Sequence, residues 1–123
     1  MARVFLDVNK IIDLVENRKE IAPESLDGHD LFISALSIHI FFYVTKQRVS
    51  YKRLEEVIRD FSIVDLDQTI CYKSFVDPTD DFEDNVQLHS AAEAECDVFL
   101  TGDKKLLNMK FFGETRIFQE FKN

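Results

Sequence analysis

The chain has 123 residues, of which 15 are basic and 23 are acidic, and its formal net charge is −8. With 46% hydrophobic residues, three glycines and two prolines, it can bury a core, which excludes disordered, collagen-like and linker-rich chains and predicts one domain over residues 1–123. Phosphate binding is usually driven by an excess of lysine and arginine, but the acidic balance does not exclude RNA, because carboxylates gathered around a bound cation contribute less negative potential than the formal charge implies.

The composition also bears on localisation and on cysteine chemistry. No stretch approaches the roughly 18 to 20 apolar residues of a membrane span, and Asp7 follows the first residues too soon for a signal peptide. Cys71 and Cys96 are too far apart for a Cys-x-x-Cys pair and too few for a thiolate zinc site or a disulfide scaffold. We therefore expect a cytoplasmic protein that does not bind membranes.

The first predicted unit is a strand followed by a helix. Residues 4–6 form a continuous apolar run, which is typical of a parallel strand buried on both faces, and the run ends at Asp7. Asn9 can cap the helix that follows, whose apolar residues recur at helical spacing as far as residue 15. Residues 21–30 are predicted to be a loop or a short helical turn.

The rest of the chain continues to alternate strands and helices. Predicted strands are residues 31–33, 62–66, 98–100 and 116–118, and predicted helices begin at residues 37, 50, 67 and 81. This alternation predicts an α/β fold, a three-layer α/β/α arrangement with a mainly parallel central sheet of four to five strands. The phenylalanines at positions 32, 41, 42, 99, 111, 112 and 118 are predicted core residues.

Three aspartates are the candidate catalytic residues. Asp7 and Asp103 follow two buried strands, and ligands of parallel sheets sit outside the carboxyl ends of the strands. Asp84 lies at the amino end of a helix, on its packed side. Carboxylates gathered in one pocket repel one another unless a cation intervenes. Mg²⁺ or Mn²⁺ prefers oxygen ligands and would polarise a phosphoryl oxygen and activate water, so phosphodiester hydrolysis is the natural reaction.

Each aspartate also has a purely structural interpretation. Asp7 can be a turn or capping residue. Asp81 can cap a helix, and Asp84 can interact favourably with the positive end of the dipole of that helix. Asp103 can form a surface ion pair with Lys104. No single aspartate indicates a catalytic site. The placement of all three at strand and helix ends favours one.

Four segments, in the right order along nearly the whole chain, resemble segments of PIN domains. Residues 4–14, VFLDVNKIIDL, resemble the opening of PIN domains, which consists of a hydrophobic strand, an Asp-x-Asn motif and an aliphatic helix. The second PIN strand and its helix look like residues 33–39, ISALSIH. An Asp-Phe-Glu-Asp-Ala-Leu-Gln segment is similar to residues 81–87, DFEDNVQ, and a Thr-x-Asp/Asn-Lys segment to residues 99–105, FLTGDKK.

The resemblance implies a Mg²⁺- or Mn²⁺-dependent endoribonuclease, a fold common among toxins of the VapC type, which are usually homodimers inhibited by an antitoxin protein. By matching positions, Asp7, Asp84 and Asp103 would be the catalytic and metal-binding carboxylates. Asn9 and Thr101 would orient them, and Asp81 would be an auxiliary carboxylate.

One departure from the PIN pattern opens an alternative. Most active PIN domains carry a further glutamate on the helix that begins near Ser37, three residues after a serine or threonine, and Ile40 stands there. Because isoleucine cannot coordinate a cation, the alternative is a catalytically impaired PIN scaffold that binds a protein partner or RNA without cleavage. A phosphatase or other small-molecule hydrolase using the same carboxylates is a third interpretation.

Overall fold

The first strand, β1 (Arg3–Leu6), lies at the middle of a six-stranded sheet in a computed structural model that describes residues 1–18 and 21–121. The other strands are β2 (Asp30–Ser34), β3 (Ser62–Val64), β4 (Val98–Leu100), β5 (Phe111–Phe112) and β6 (Thr115–Phe118). Their order is β3-β2-β1-β4-β6-β5, and every pairing is parallel except that of β5 with β6. The predicted mainly parallel sheet is confirmed, with six strands rather than four to five.

Within residues 1–18 and 21–121, six α-helices connect or flank these strands. They are α1 (Val8–Val15), α2 (Ala35–Thr45), α3 (Lys52–Ile58), α4 (Gln68–Ser74), α5 (Phe82–Glu93) and α6 (Lys104–Met109). A short 3-10 helix (Pro23–Leu26) provides the turn predicted before β2. Helix α6 was not predicted.

The central strands alternate their side chains between two apolar cores. Val4 and Leu6 pack in one core with residues of α1, α2 and α3, whereas Phe5 packs in the other with residues of α5 and α6. Strand β4 divides in the same way. Both faces of the sheet are therefore covered, which explains the continuous apolar runs and gives the predicted three-layer α/β/α fold.

Two helix starts differ from their predictions because of local hydrogen bonding. Asp7, rather than Asn9, caps α1. Helix α2 begins at Ala35, because the hydroxyl of Ser34 accepts a 3.0 Å hydrogen bond from the backbone N–H of Ser37.

The core prediction is wrong for two phenylalanines. Phe111 lies on the edge strand β5 and Phe118 at the end of the neighbouring strand β6, and both are exposed. Within residues 1–18 and 21–121, no helix has the length and apolar character needed to cross a bilayer.

Candidate carboxylate site

Two of the candidate aspartates lie at the same edge of the sheet. Strands β1 and β4 are parallel neighbours, and Leu6 pairs with Leu100 at their carboxyl ends. Asp7 is the next residue after Leu6, and its backbone N–H donates to the carbonyl of Leu100 at 2.9 Å. Asp103 follows β4 and caps α6. The sheet register therefore places Asp7 and Asp103, which are distant in the sequence, at the same edge of the sheet. This agrees with the expectation from their positions after two buried strands.

Asp7 is held by hydrogen bonds to both carboxylate oxygens. Its Oδ1 accepts from the backbone N–H of Val8 at 2.8 Å, and its Oδ2 accepts from the hydroxyl of Thr101 at 2.8 Å. Burial raises the pKa of the Asp7 carboxyl; the bonds from Thr101 and Val8 oppose this effect, and the charge of Asp103 adds to it. Because the residue is only 5% exposed, water does little to offset its charge.

Thr101 connects Asp7 to the loop that carries Asp103. While its hydroxyl donates to Asp7, its oxygen accepts from the backbone N–H of Asp103 at 3.0 Å. Asp103 in turn accepts through Oδ1 from the backbone N–H of Lys105 at 2.8 Å. One buried hydroxyl thus sets the relative position of two candidate carboxylates.

Asn9 contacts the same loop from α1. Its amide oxygen accepts from the backbone N–H of Gly102 at 3.1 Å, and its amide nitrogen lies 3.4 Å from Oδ2 of Asp7. Asn9 therefore does not cap α1. It connects α1 to the β4–α6 loop, in a position to orient Asp7.

Asp84 lies in the first turn of α5 and interacts electrostatically with the other carboxylates. Asp81 caps this helix, since its Oδ1 accepts from the backbone N–H of Asp84 at 3.0 Å. Burial raises the pKa of Asp84 to about 6, with further increases from Asp81, Asp7 and Asp103 and a smaller decrease from Lys105. Asp84 therefore lies within electrostatic reach of both strand-end aspartates.

These donors fit a hard divalent cation in their chemistry. They offer oxygen atoms, the ligand type that Mg²⁺ and Mn²⁺ prefer, and their mutual repulsion adds to the effect of burial in raising the pKa of Asp84. In the part of the chain that the structure describes, no three His, Cys, Asp or Glu side chains are arranged as a complete metal-binding group.

A buried polar cluster next to Asp84 was not predicted as part of the site. Gln87 lies one helical turn after Asp84, and its Oε1 accepts from the hydroxyls of Ser34 at 2.7 Å and Ser37 at 3.2 Å. Its Nε2 is buried and has no hydrogen-bond partner among residues 1–18 and 21–121. The sequence signal was Gln87 itself, which lies in the PIN-like segment 81–87.

PIN domains usually carry their further glutamate three residues after the serine or threonine at the start of this helix, and the structure identifies that serine as Ser34. Ser34 caps α2, so that position is Ser37 rather than Ile40. Ser37 contacts Gln87 on α5, whereas Ile40 is a buried apolar residue. The side chain of α2 that meets the Asp84 helix by hydrogen bonding is therefore a serine.

Comparison with known proteins supports the fold assignment. No family model matches the chain, and no curated protein matches it. Among solved structures, it is similar to the crystal structure of VapBC2 from Rickettsia felis bound to a DNA fragment from their promoter. The TM-score is 0.69, the sequence identity is 11%, and the match covers 98% of this chain and 99% of that chain. The chain therefore has a VapC-like PIN fold.

Proposed function

We propose that residues 1–123 form one PIN-like domain that acts as a divalent-metal-dependent endoribonuclease. The observation that supports this function best is the electrostatic environment of Asp84. Its carboxylate is within reach of Asp7, Asp103 and Asp81, and their repulsion outweighs the opposing effect of Lys105. A cation held among these groups would relieve that repulsion.

In this proposal Asp7, Asp84 and Asp103 would hold Mg²⁺ or Mn²⁺. When bound, the cation would supply Lewis-acid polarisation of a phosphoryl oxygen and activation of water for phosphodiester hydrolysis. Thr101 fixes the orientation of the Asp7 carboxylate and the start of the loop carrying Asp103. Asn9 joins that loop to α1, and Asp81 adds negative charge beside Asp84. These roles keep the carboxylates in place before substrate arrives.

We further propose that the protein is the toxin of a toxin–antitoxin pair, a homodimer in the cytoplasm. The support is the similarity of the fold to a solved VapBC2 structure. A formal charge of −8 also leaves an acidic surface to which a basic segment of an antitoxin could bind.

Cleavage by aspartate variants tests the nuclease. We expect the purified protein to cut single-stranded or structured RNA in Mg²⁺ or Mn²⁺, and Asp7→Asn to lose at least 100-fold of that activity, on the order of the ~3 kcal/mol that one essential site group supplies. Asp27→Asn is the matched control, because Asp27 is exposed and precedes β2 at the opposite edge of the sheet. Equal cleavage by wild type and Asp7→Asn would refute the assignment.

The impaired scaffold is the second candidate function. It is favoured by the serine at position 37, which brings a hydroxyl rather than a carboxylate to the helix that carries Asp84. Calorimetric titration with Mn²⁺ separates the two functions. Binding that disappears in Asp84→Asn supports the nuclease, whereas no binding even at millimolar metal supports the scaffold.

A further inference from the structure

The loop between α4 and α5, residues 75–81, carries the residue that caps the helix of Asp84. Oδ1 of Asp81 accepts from the backbone N–H of Asp84 at 3.0 Å, and the charge of Asp81 acts on the Asp84 carboxyl. Residues 75–77, 80 and 81 are exposed, so burial in a core does not hold most of this loop in place. The position of Asp81 beside Asp84 therefore depends on hydrogen bonds.

Asn85 supplies those hydrogen bonds from the buried side of α5, where it is only 2% exposed. Its Oδ1 accepts from the backbone N–H of Thr79 at 2.9 Å and from the Thr79 hydroxyl at 2.7 Å. Its Nδ2 donates to the backbone carbonyls of Ser74 at 2.9 Å and of Thr79 at 3.0 Å. One buried amide therefore ties the end of α4 and the α4–α5 loop to the start of α5.

Thr79 connects Asn85 to Asp81. Its hydroxyl donates to Oδ1 of Asn85 and accepts from the backbone N–H of Asp81 at 3.0 Å. Asp81 in turn caps Asp84, the residue directly before Asn85. These four residues form a closed cycle of hydrogen bonds and one peptide bond, which we call the Asn85 cycle. Hydrogen bonds are directional, so such a cycle orients its members more narrowly than apolar contacts do.

The chemistry of Asn85 matters because an apolar side chain of the same size could not replace it. Such a side chain would fill the space on the buried side of α5 but leave the backbone N–H of Thr79 and the carbonyl of Ser74 without the partners they have now. A buried amide is costly unless its groups are paired, and a fully paired one makes its surroundings rigid. The rigidity here lies directly beside Asp84.

We propose that Asn85 is a positioning residue of the carboxylate site, which fixes Asp81 through Thr79 and so holds Asp84 ready for a divalent cation. This inference rests on the proposed metal-dependent function and adds a residue that touches neither the cation nor the substrate. Residues that orient ligands from outside the coordination shell typically change metal affinity about 10- to 100-fold when they are replaced.

The test compares three variants of the Asn85 cycle with wild type. Thr79→Val removes the hydroxyl and keeps the shape of the side chain, Thr79→Ser restores the hydroxyl, and Asn85→Leu removes the amide. Calorimetric titration with Mn²⁺ in the absence of RNA gives the metal affinity. Hydrogen exchange of the Asp84 amide in a chelating buffer, relative to that of the buried Leu88 on the same helix, reports on the cap. Circular dichroism verifies folding, and Thr79→Val decides the test if Asn85→Leu does not fold.

Thr115→Val is the matched control for a general loss of stability. Thr115 is buried, and its hydroxyl donates to the carbonyl of Cys96 at 2.8 Å. Thr115 begins β6 at the amino ends of the parallel strands, whereas the candidate carboxylates of the sheet lie at the carboxyl ends. The control therefore loses a threonine hydroxyl of the same kind at the opposite edge of the sheet.

We expect Asn85→Leu and Thr79→Val each to weaken Mn²⁺ binding roughly tenfold or more. Both should speed exchange of the Asp84 amide roughly fivefold relative to Leu88, because the helix cap is loosened. Thr79→Ser should bind Mn²⁺ within about threefold of wild type, since it keeps the hydroxyl. Thr115→Val should bind Mn²⁺ as wild type does, although its Tm falls.

The outcomes separate this inference from the proposed function. Wild-type Mn²⁺ affinity in both Thr79→Val and Asn85→Leu would overturn the inference and leave the nuclease standing. An equal loss of affinity in Thr115→Val, or no recovery in Thr79→Ser, would overturn it as well, because the effect would then be a general loss of stability. Absence of Mn²⁺ binding by wild type would refute the proposed metal site and the positioning role with it, even if exchange showed an intact Asn85 cycle.

Discussion

The hydroxyl of Thr101 donates a 2.8 Å hydrogen bond to the carboxylate of Asp7, 94 positions earlier in the chain. The bond crosses from the end of β4 to the end of β1, and both residues are buried. It lowers the pKa of Asp7 against the effect of burial. The contact favours the ionised form of a carboxyl whose pKa is nevertheless raised overall by burial.

Replacing Thr101 by valine should weaken both stability and activity. The variant keeps the shape of the side chain but removes the hydroxyl, so Asp7 loses a donor and the backbone N–H of Asp103 loses an acceptor. We expect the free energy of unfolding to fall by about 1–3 kcal/mol, the usual cost of leaving a buried polar group unsatisfied. Urea denaturation at neutral pH measures it.

Thr101→Ser is the control, because serine restores the hydroxyl. It should recover most of the stability and most of the RNA cleavage. Equal stability of Thr101→Val and wild type would show that the hydroxyl contributes little.

Asp84 should destabilise the folded protein in a pH-dependent way. Its pKa is raised from 3.8 to about 6 in the folded chain, so the folded state binds the proton more tightly than the unfolded state. The penalty is absent below the unfolded pKa, grows as pH rises towards about 6, and is fully present above it.

Asp84→Asn should remove that penalty at about pH 8. We expect an increase in Tm of about 3–5 °C, on the order of 1 kcal/mol once solvent screening of this partly exposed group is considered. The difference should vanish near pH 4. Differential scanning calorimetry in a chelating buffer measures it, and Asp27→Asn should show no such pH-dependent gain.

A divalent cation should stabilise the wild-type protein through the same residue. Mn²⁺ at about 10 to 100 times its Kd should add roughly 1.4–2.7 kcal/mol to the free energy of unfolding, and Asp84→Asn should lose most of that gain. Because protons compete for the carboxylates, the gain should shrink as pH falls through about 6. An equal rise in Tm for wild type and Asp84→Asn would place the bound metal elsewhere.

Most active PIN domains carry a further glutamate on the helix that corresponds to α2. Placing a glutamate at position 37 or at position 40 tests which of the two positions corresponds to it. Ser37 contacts Gln87, one turn from Asp84, whereas Ile40 is buried and no hydrogen bond links it to Gln87 among the described residues. We expect Ser37→Glu to increase Mn²⁺ affinity about tenfold, because an added charged ligand tightens a cation site. Ile40→Glu should only destabilise the fold, since it buries an unpaired carboxylate.

Neutral variants of the same size serve as controls for that comparison. Ser37→Gln and Ile40→Gln introduce similar bulk without charge, so any gain in metal affinity limited to Ser37→Glu reflects the carboxylate. Calorimetric titration gives the affinity, and thermal unfolding reports the cost of burial. A gain for Ile40→Glu but not for Ser37→Glu would restore position 40 as the acidic position.

The sequence by itself determined the central strands and the place where the aspartates meet. Residues 4–6 and 98–100 are continuous apolar runs because both faces of β1 and β4 are covered. Asp7 directly follows β1 and Asp103 follows β4 after Thr101 and Gly102, and parallel neighbours end at the same edge. Local patterning was therefore enough to bring two residues nearly a hundred positions apart to one edge of the sheet.

Short elements and long-range contacts were decided only by the tertiary structure. Helix α6 and strand β5 are too short to show a period, and they form because they pack against β6 and the second core. The cluster of Ser34, Ser37 and Gln87 spans more than fifty positions. Its members are ordinary polar residues until the packing of α5 against β2 and α2 excludes water, after which their hydroxyl and amide groups must satisfy one another.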